Sequence, residues 1–102
     1  MHDDEWDVEE AFKSPLDTLT LAKNRCVELL QIIKEGMQLE RQNIQYMRKM
    51  LELAHANFVS VTDARLSARS NGVSDRDIHA LLGDLPLDAL LVTQELNQIV
   101  YN

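Results

Sequence analysis

Cysteine is nearly absent from this sequence, in which Cys26 is the only one. A single cysteine excludes an internal disulfide and a zinc site built from several thiolates. No apolar run approaches the roughly 18–20 residues that a membrane span requires. The acidic N-terminus also lacks the apolar segment of a signal peptide. These absences predict a cytoplasmic protein that has no membrane partner.

Glycine, proline and aromatic residues are scarce as well: three glycines, two prolines, and one Trp, two Tyr and two Phe. Good helix formers such as Leu, Met, Gln, Glu, Ala and Arg are frequent instead. The chain is 45% hydrophobic, so it can bury a core. We therefore expect a small all-α protein. Its surface-to-volume ratio is poor, so we expect a partner protein or homodimerisation to contribute to its stability.

The negative charge is concentrated at the N-terminus. The net charge is −7, and six of the 17 acidic residues lie between Asp3 and Glu10. This asymmetry predicts an acidic tail over residues 1–13 and a single helical domain over residues 14–102. Trp6 and Phe12 stand in or beside the acidic run, a composition typical of segments that dock on binding. Three roles stay open: a solubilising tail, docking on the chain's own or a neighbouring subunit's basic side chains, and direct contact with a partner.

Capping signals divide the chain into helices. Ser14 followed by Pro15 predicts a helix start, with Pro at the first helical position. Asn71-Gly72 predicts the end of that helix, since glycine at this position readily adopts a left-handed conformation. Two shorter helices are expected after it, over about residues 74–82 and 86–100. The second has an apolar stripe at Ala89, Val92, Leu96 and Ile99 or Val100.

Between these signals the apolar positions alternate in steps of four and three. Such spacing predicts a heptad seam along one long helix over about residues 15–70. Gly36 and the seam position Glu40 disturb the pattern, so the helix is either continuous and bent there or broken into a hairpin near residues 34–38. The seam positions are Cys26, Leu30, Ile33, Met37, Glu40, Ile44, Met47, Leu51, Ala54, Phe58 and Val61.

Basic residues flank the seam on one side without an acidic counterpart on the other. A simple leucine zipper would lack the ion pairs that flanking positions supply. The seam is therefore expected to pack on the C-terminal helices, on another protein, or on both. Methionine adds adaptable contact surface. The predicted partner-binding residues are Trp6, Phe12, Met37, Arg41, Met47, Arg48, Met50 and Leu53.

Catalytic signatures are missing. The sequence contains no GxxxxGK[ST], GxGxxG or HExxH motif. His55 lies beside the apolar seam, as a surface or interface residue would. His79 has no obvious carboxylate or nucleophile partner, and Cys26 lies on the apolar seam with no nearby base. We therefore expect a non-enzymatic protein without a cofactor or metal.

The segment Ala64–Gly83 has features of a helix-turn-helix. Its turn glycine and following apolar residue, Gly72 and Val73, stand where such motifs place them. The recognition helix of such a motif, however, would present Asp75 and Asp77 to phosphate-rich DNA. A DNA-binding regulator is therefore the alternative, and nucleic acid is not the expected partner.

The outline of the chain resembles a known family. A length near one hundred residues, an all-helical body with one long helix, a pI of about 4.8 and no catalytic motif are similar to small bacterial anti-activators of LuxR-type quorum-sensing regulators, of the QslA and TraM kind. The resemblance implies a protein that sequesters a transcription activator by covering a surface used for dimerisation or DNA binding. A small secretion chaperone would place the same demands on the sequence.

Overall fold

The computed structural model describes residues 14–102, which form four helices and no strand. Helix α1 spans Pro15–Leu39, α2 spans Ile44–Ser70, α3 spans Asp75–Leu82 and α4 spans Leu85–Tyr101. The all-α prediction is confirmed for these residues. Trp6 and Phe12 lie outside the described residues.

Short polar side chains start three of the helices. The Ser14 side chain accepts a hydrogen bond from the backbone N–H of Asp17 at 3.0 Å, and Pro15 occupies the first helical position. Ser74 caps α3 in the same way, accepting from the N–H of Asp77 at 3.1 Å. Each cap satisfies a backbone donor that the first turn leaves unpaired.

Helix α2 ends at Ser70, directly before the Asn71-Gly72 pair that predicted its end. Gly72 adopts a φ of 94° and its N–H donates to the carbonyl of Arg69 at 3.1 Å. The N–H of Val73 donates to the carbonyl of Ala68 at 3.0 Å, which completes a Schellman motif. Because φ is positive at residue 72, glycine is favoured there.

The prediction of one long helix over residues 15–70 is wrong, because the chain turns back at residues 40–43. The alternative of two helices has the right number of helices but placed the turn too early, at residues 34–38. Asn43 provides the new start: its side chain accepts from the N–H of Tyr46 at 3.1 Å. Glu40 leaves the helix and is exposed in the loop, which explains how a charge occupies a seam position.

The two halves of the seam face each other across the resulting antiparallel hairpin. The buried Asn57 side chain donates from Nδ2 to the carbonyl of Cys26 at 3.3 Å, which links α2 to α1. Beyond the loop the burial pattern shifts by one position, so Met50 and Asn57 are buried while the seam residues Leu51 and Phe58 are half-buried. The buried apolar residues of the hairpin are Leu19, Cys26, Leu30, Ile33 and Met37 of α1 and Met47, Met50, Ala54, Val61 and Ala68 of α2.

Gly36 lies in the interior of α1 and faces side chains of α2. A Cβ at this residue would lie 2.9 Å from Tyr46 Oη and 3.1 Å from Met50 Sδ. Glycine costs roughly 1 kcal/mol relative to alanine inside a helix. Here glycine leaves room for the Tyr46 ring, and the packing of that ring against α1 offsets the cost.

Helix α4 packs on α2 and only slightly on α1. Its buried residues are Leu85, Ala89, Val92, Leu96 and Val100, which confirms the predicted apolar stripe. The described residues measure 50 × 36 × 16 Å, so their smallest dimension is little more than one helix diameter of about 10–12 Å. Helix α2 is therefore central, and one face of the α1–α2 hairpin is left without a helix of residues 14–102 over it.

The contact between Gly36 and Tyr46 is tested by a double-mutant cycle. In the wild-type background, Gly36→Ala is expected to lose the roughly 1 kcal/mol that alanine gains in a helix, since Tyr46 and Met50 must move. In a Tyr46→Ala background the same substitution is expected to stabilise the protein by about 1 kcal/mol. Urea unfolding of the four proteins at one concentration measures the difference. An equal gain in both backgrounds would contradict the contact.

Candidate protein-interaction surface

The three predicted methionines do not form a surface. Met37, Met47 and Met50 are buried between α1 and α2. They fill the core of the hairpin, so a partner does not reach them while the hairpin is closed. Their spacing is that of a helix face that packs on another helix, and each helix of the hairpin provides that partner for the other.

The predicted basic stripe is also divided. Lys34 lies on α1, Arg41 lies in the loop and Arg48 lies on α2, all exposed. Arg41 Nη1 is 3.9 Å from Glu95 Oε1 of α4, a solvent-exposed pair that contributes little stability. The turn at residues 40–43 places these residues on three successive elements, so they do not form a stripe along one helix.

Leu53 is the predicted residue that remains available on an apolar surface. Its exposed fraction is 39%, and that of Ile32 on α1 is 56%. We define the open face of the hairpin by four residues, Leu29 and Ile32 of α1 and Tyr46 and Leu53 of α2. Leu29 and Tyr46 are half-buried and pack against the core. The open face therefore combines a partly buried apolar base with two exposed apolar side chains.

Two contacts show that the four residues are neighbours. Gly36 faces Tyr46, and Asn57 reaches the carbonyl of Cys26, so Leu53 lies at the height of about residues 29–31 of α1. Ile32 precedes Gly36 by four residues and Leu53 follows Tyr46 by seven, spacings that keep side chains on one side of a helix. The two stripes consequently adjoin along the same side of the hairpin.

Helix α4 lies on the other flank of α2. Leu51 stands two residues before Leu53 and so points about 200° away from it. Together with His55, it lines a cleft of about 390 Å³ whose opposite wall includes Thr93 and Tyr101 of α4. The open face therefore lies on the side of α2 that α4 does not cover.

The segment proposed as a helix-turn-helix does form two helices joined by a four-residue turn. A cleft of about 310 Å³ lies in the angle between them, with Arg65, Arg69 and Asp75 in its wall. Asp75 and Asp77 are exposed on the first turn of α3, and Arg69 Nε is 3.5 Å from Asp75 Oδ1. These carboxylates would repel a phosphate backbone at the end of the helix that would have to approach DNA.

No group of three His, Cys, Asp or Glu side chains stands close enough to hold a metal among residues 14–102. Over the same residues, no helix combines the length and the hydrophobicity needed to cross a bilayer. Burial raises the pKa of the Cys26 thiol, and hydrogen bonding with Asn57 offsets part of that rise. The thiol is thus kept protonated, the inactive form for nucleophilic attack.

Comparisons with protein-family models, with curated proteins and with solved structures found no match to this chain. The open face therefore has to be interpreted from its own residues.

Sequence reasoning missed Leu29, Ile32 and Tyr46 as members of this surface. A signal was present: Leu29, Ile32 and Gly36 follow the three-and-four spacing of a helix face that is distinct from the seam. That signal has meaning only once the chain is known to turn at residues 40–43, because the turn brings Tyr46 and Leu53 alongside α1.

Cys26 is expected to behave as a packing residue. At pH 8 its reaction with 5,5′-dithiobis(2-nitrobenzoic acid) should be at least about 100-fold slower in the native protein than in urea, because reaction requires the hairpin to open. Absorbance of the released thiolate measures both rates. Since the folded pKa is raised above the ordinary 9.0, the thiol's contribution to stability is complete below pH 9 and declines above it. Equal native and unfolded reaction rates would contradict this placement.

Proposed function

We propose that this protein is a non-enzymatic regulator that acts in the cytoplasm by binding a transcription activator through its open face. The observation that supports the proposal is the pair of exposed apolar side chains, Ile32 and Leu53, on a rigid two-helix base. Apolar side chains on a preorganised surface lose little conformational entropy when a partner covers them. Binding there would cover a surface that the activator needs for dimerisation or for contact with DNA.

The class of partner is supported by the sequence. The chain is similar in length, helical content and acidity to small anti-activators of LuxR-type regulators, which act without catalysis. An acidic protein, net charge −7, also repels DNA electrostatically. Association with a basic DNA-binding protein would be favoured by the same charge.

The proposal is tested with a matched pair of substitutions on α2. Leu53 and Val59 are 39% and 40% exposed, but six residues of helix place them on different sides of α2. Leu53→Glu is expected to weaken the partner complex about tenfold or more, since a carboxylate would be buried in an apolar contact. Val59→Glu should leave binding unchanged.

The measurement begins with tagged wild-type protein in nuclease-treated lysate of the native organism, followed by mass spectrometry. A transcription regulator enriched by the wild-type and Val59→Glu proteins, and lost with Leu53→Glu, would support the proposal. Titration of the purified regulator then measures the dissociation constants. Circular dichroism of both variants checks that the helices are retained.

Other results would favour the alternatives. An export substrate in place of the regulator would indicate a chaperone. Specific DNA recovered from untreated lysate, and lost on Arg76→Ala, would indicate a DNA-binding regulator. Equal binding by Leu53→Glu and Val59→Glu would exclude the open face as the site.

A further inference from the structure

We propose that a second copy of this chain occupies the open face, so that two α1–α2 hairpins pack face to face as a four-helix bundle. This assembly goes beyond the proposed function and does not require an activator. It would give the exposed side chains of Ile32 and Leu53 an apolar environment, and it would complete a core that is thin in the single chain.

The full side of the hairpin offers enough area for a stable dimer. Helix α1 has 25 residues and α2 has 27. At 1.5 Å per residue and a diameter of about 10 Å, two such helices side by side present a footprint of roughly 750 Å². This is close to the roughly 800 Å² per partner that stable complexes bury. A dimer centred on the open face and extending along the whole hairpin is therefore of ordinary size.

Charged side chains border the open face on both helices, and they include one acid and one base that are complementary. Glu28 and Glu35 lie four residues before and three residues after Ile32, so they border the α1 edge. Lys49 lies four residues before Leu53 and borders the α2 edge. Glu35 Oε1 accepts a hydrogen bond from the Gln31 side chain at 3.0 Å, and a carboxylate retains further lone pairs for a lysine. Arg25, seven residues before Ile32, and Glu52, next to Leu53, are also exposed, so neither edge carries a single sign. Glu35 and Lys49 are the acid and the base that the arrangement below pairs.

The pair formed by Glu35 and Lys49 favours one two-fold arrangement. If the axis runs parallel to the helices, α1 of each copy stacks on α2 of the other, and heights along the helices are preserved. Because Gly36 contacts both Tyr46 and Met50 within one chain, Glu35 lies at the height of about residues 48–49 of α2. The axis therefore places Glu35 opposite Lys49 of the partner subunit. An axis perpendicular to the helices would stack α1 on α1 and would not bring Glu35 to Lys49.

Dimerisation would also influence activator binding. A second copy and an activator would cover the same apolar side chains, so each would exclude the other. Sequestration would then require dissociation of the dimer, and the fraction able to bind would depend on the protein's own concentration.

The experiment is sedimentation equilibrium of the purified full-length protein, with no partner present. The wild-type protein is expected to be a dimer, and Ile32→Glu is expected to be a helical monomer at the same concentration. Val59→Glu, altered outside the open face, should remain dimeric. A monomeric wild-type protein at 100 µM, about the concentration at which weak dimers form, would overturn the proposal. A dimer that survives Ile32→Glu would overturn it as well.

Charge reversal tests the arrangement. Lys49→Glu and Glu35→Lys are each expected to raise the dimer dissociation constant about tenfold, because two edge pairs become repulsive. Combining them should restore the wild-type value. A double variant as weak as the two single variants would overturn the parallel-axis arrangement. All these readings use the protein alone, so they are independent of whether an activator is found.

Discussion

The close approach of α1 and α2 at Gly36 is the constraint on which the rest of the structure depends. The ring of Tyr46 occupies the space that a side chain at residue 36 would need, within 3.1 Å of where a Cβ would stand. This contact, together with the hydrogen bond from Asn57 to the carbonyl of Cys26, sets how the two helices align. The alignment in turn brings Leu53 beside Ile32 and leaves α4 on the other flank. The open face is a consequence of this packing.

The start of α1, the end of α2 and the apolar stripe of α4 could be predicted from sequence because each depends on local chemistry. Ser14, Gly72 and Leu96 act through their nearest turns or through a single helical period. The turn at residues 40–43 was not predicted, because the apolar spacing continues through it without a change of phase. Asn43 is the residue that could have indicated it, since it caps α2.

The candidate surface was harder to predict than the helices, because it also depends on the turn at residues 40–43. A heptad seam has the same spacing whether it faces another protein or another segment of its own chain. Once the chain turns, the halves of the seam satisfy each other, and Met37, Met47 and Met50 become core. The surface that remains for a partner consists of apolar side chains beside the seam. These side chains include Leu53, which was predicted, and Ile32, which becomes recognisable only after the hairpin is known.

The antiparallel hairpin is tested most directly by the distance between two spin labels, measured by electron spin resonance. Spin labels at Asp17 and Ser70, in a Cys26→Ala background diluted with unlabelled protein, would stand at the same end of the hairpin. Pro15 and Thr18 line a cleft with Ser67 and Asn71 there, so a distance below about 25 Å is predicted. A continuous helix would separate the labels by about 80 Å. A distance near that value would contradict the hairpin and the surface built on it.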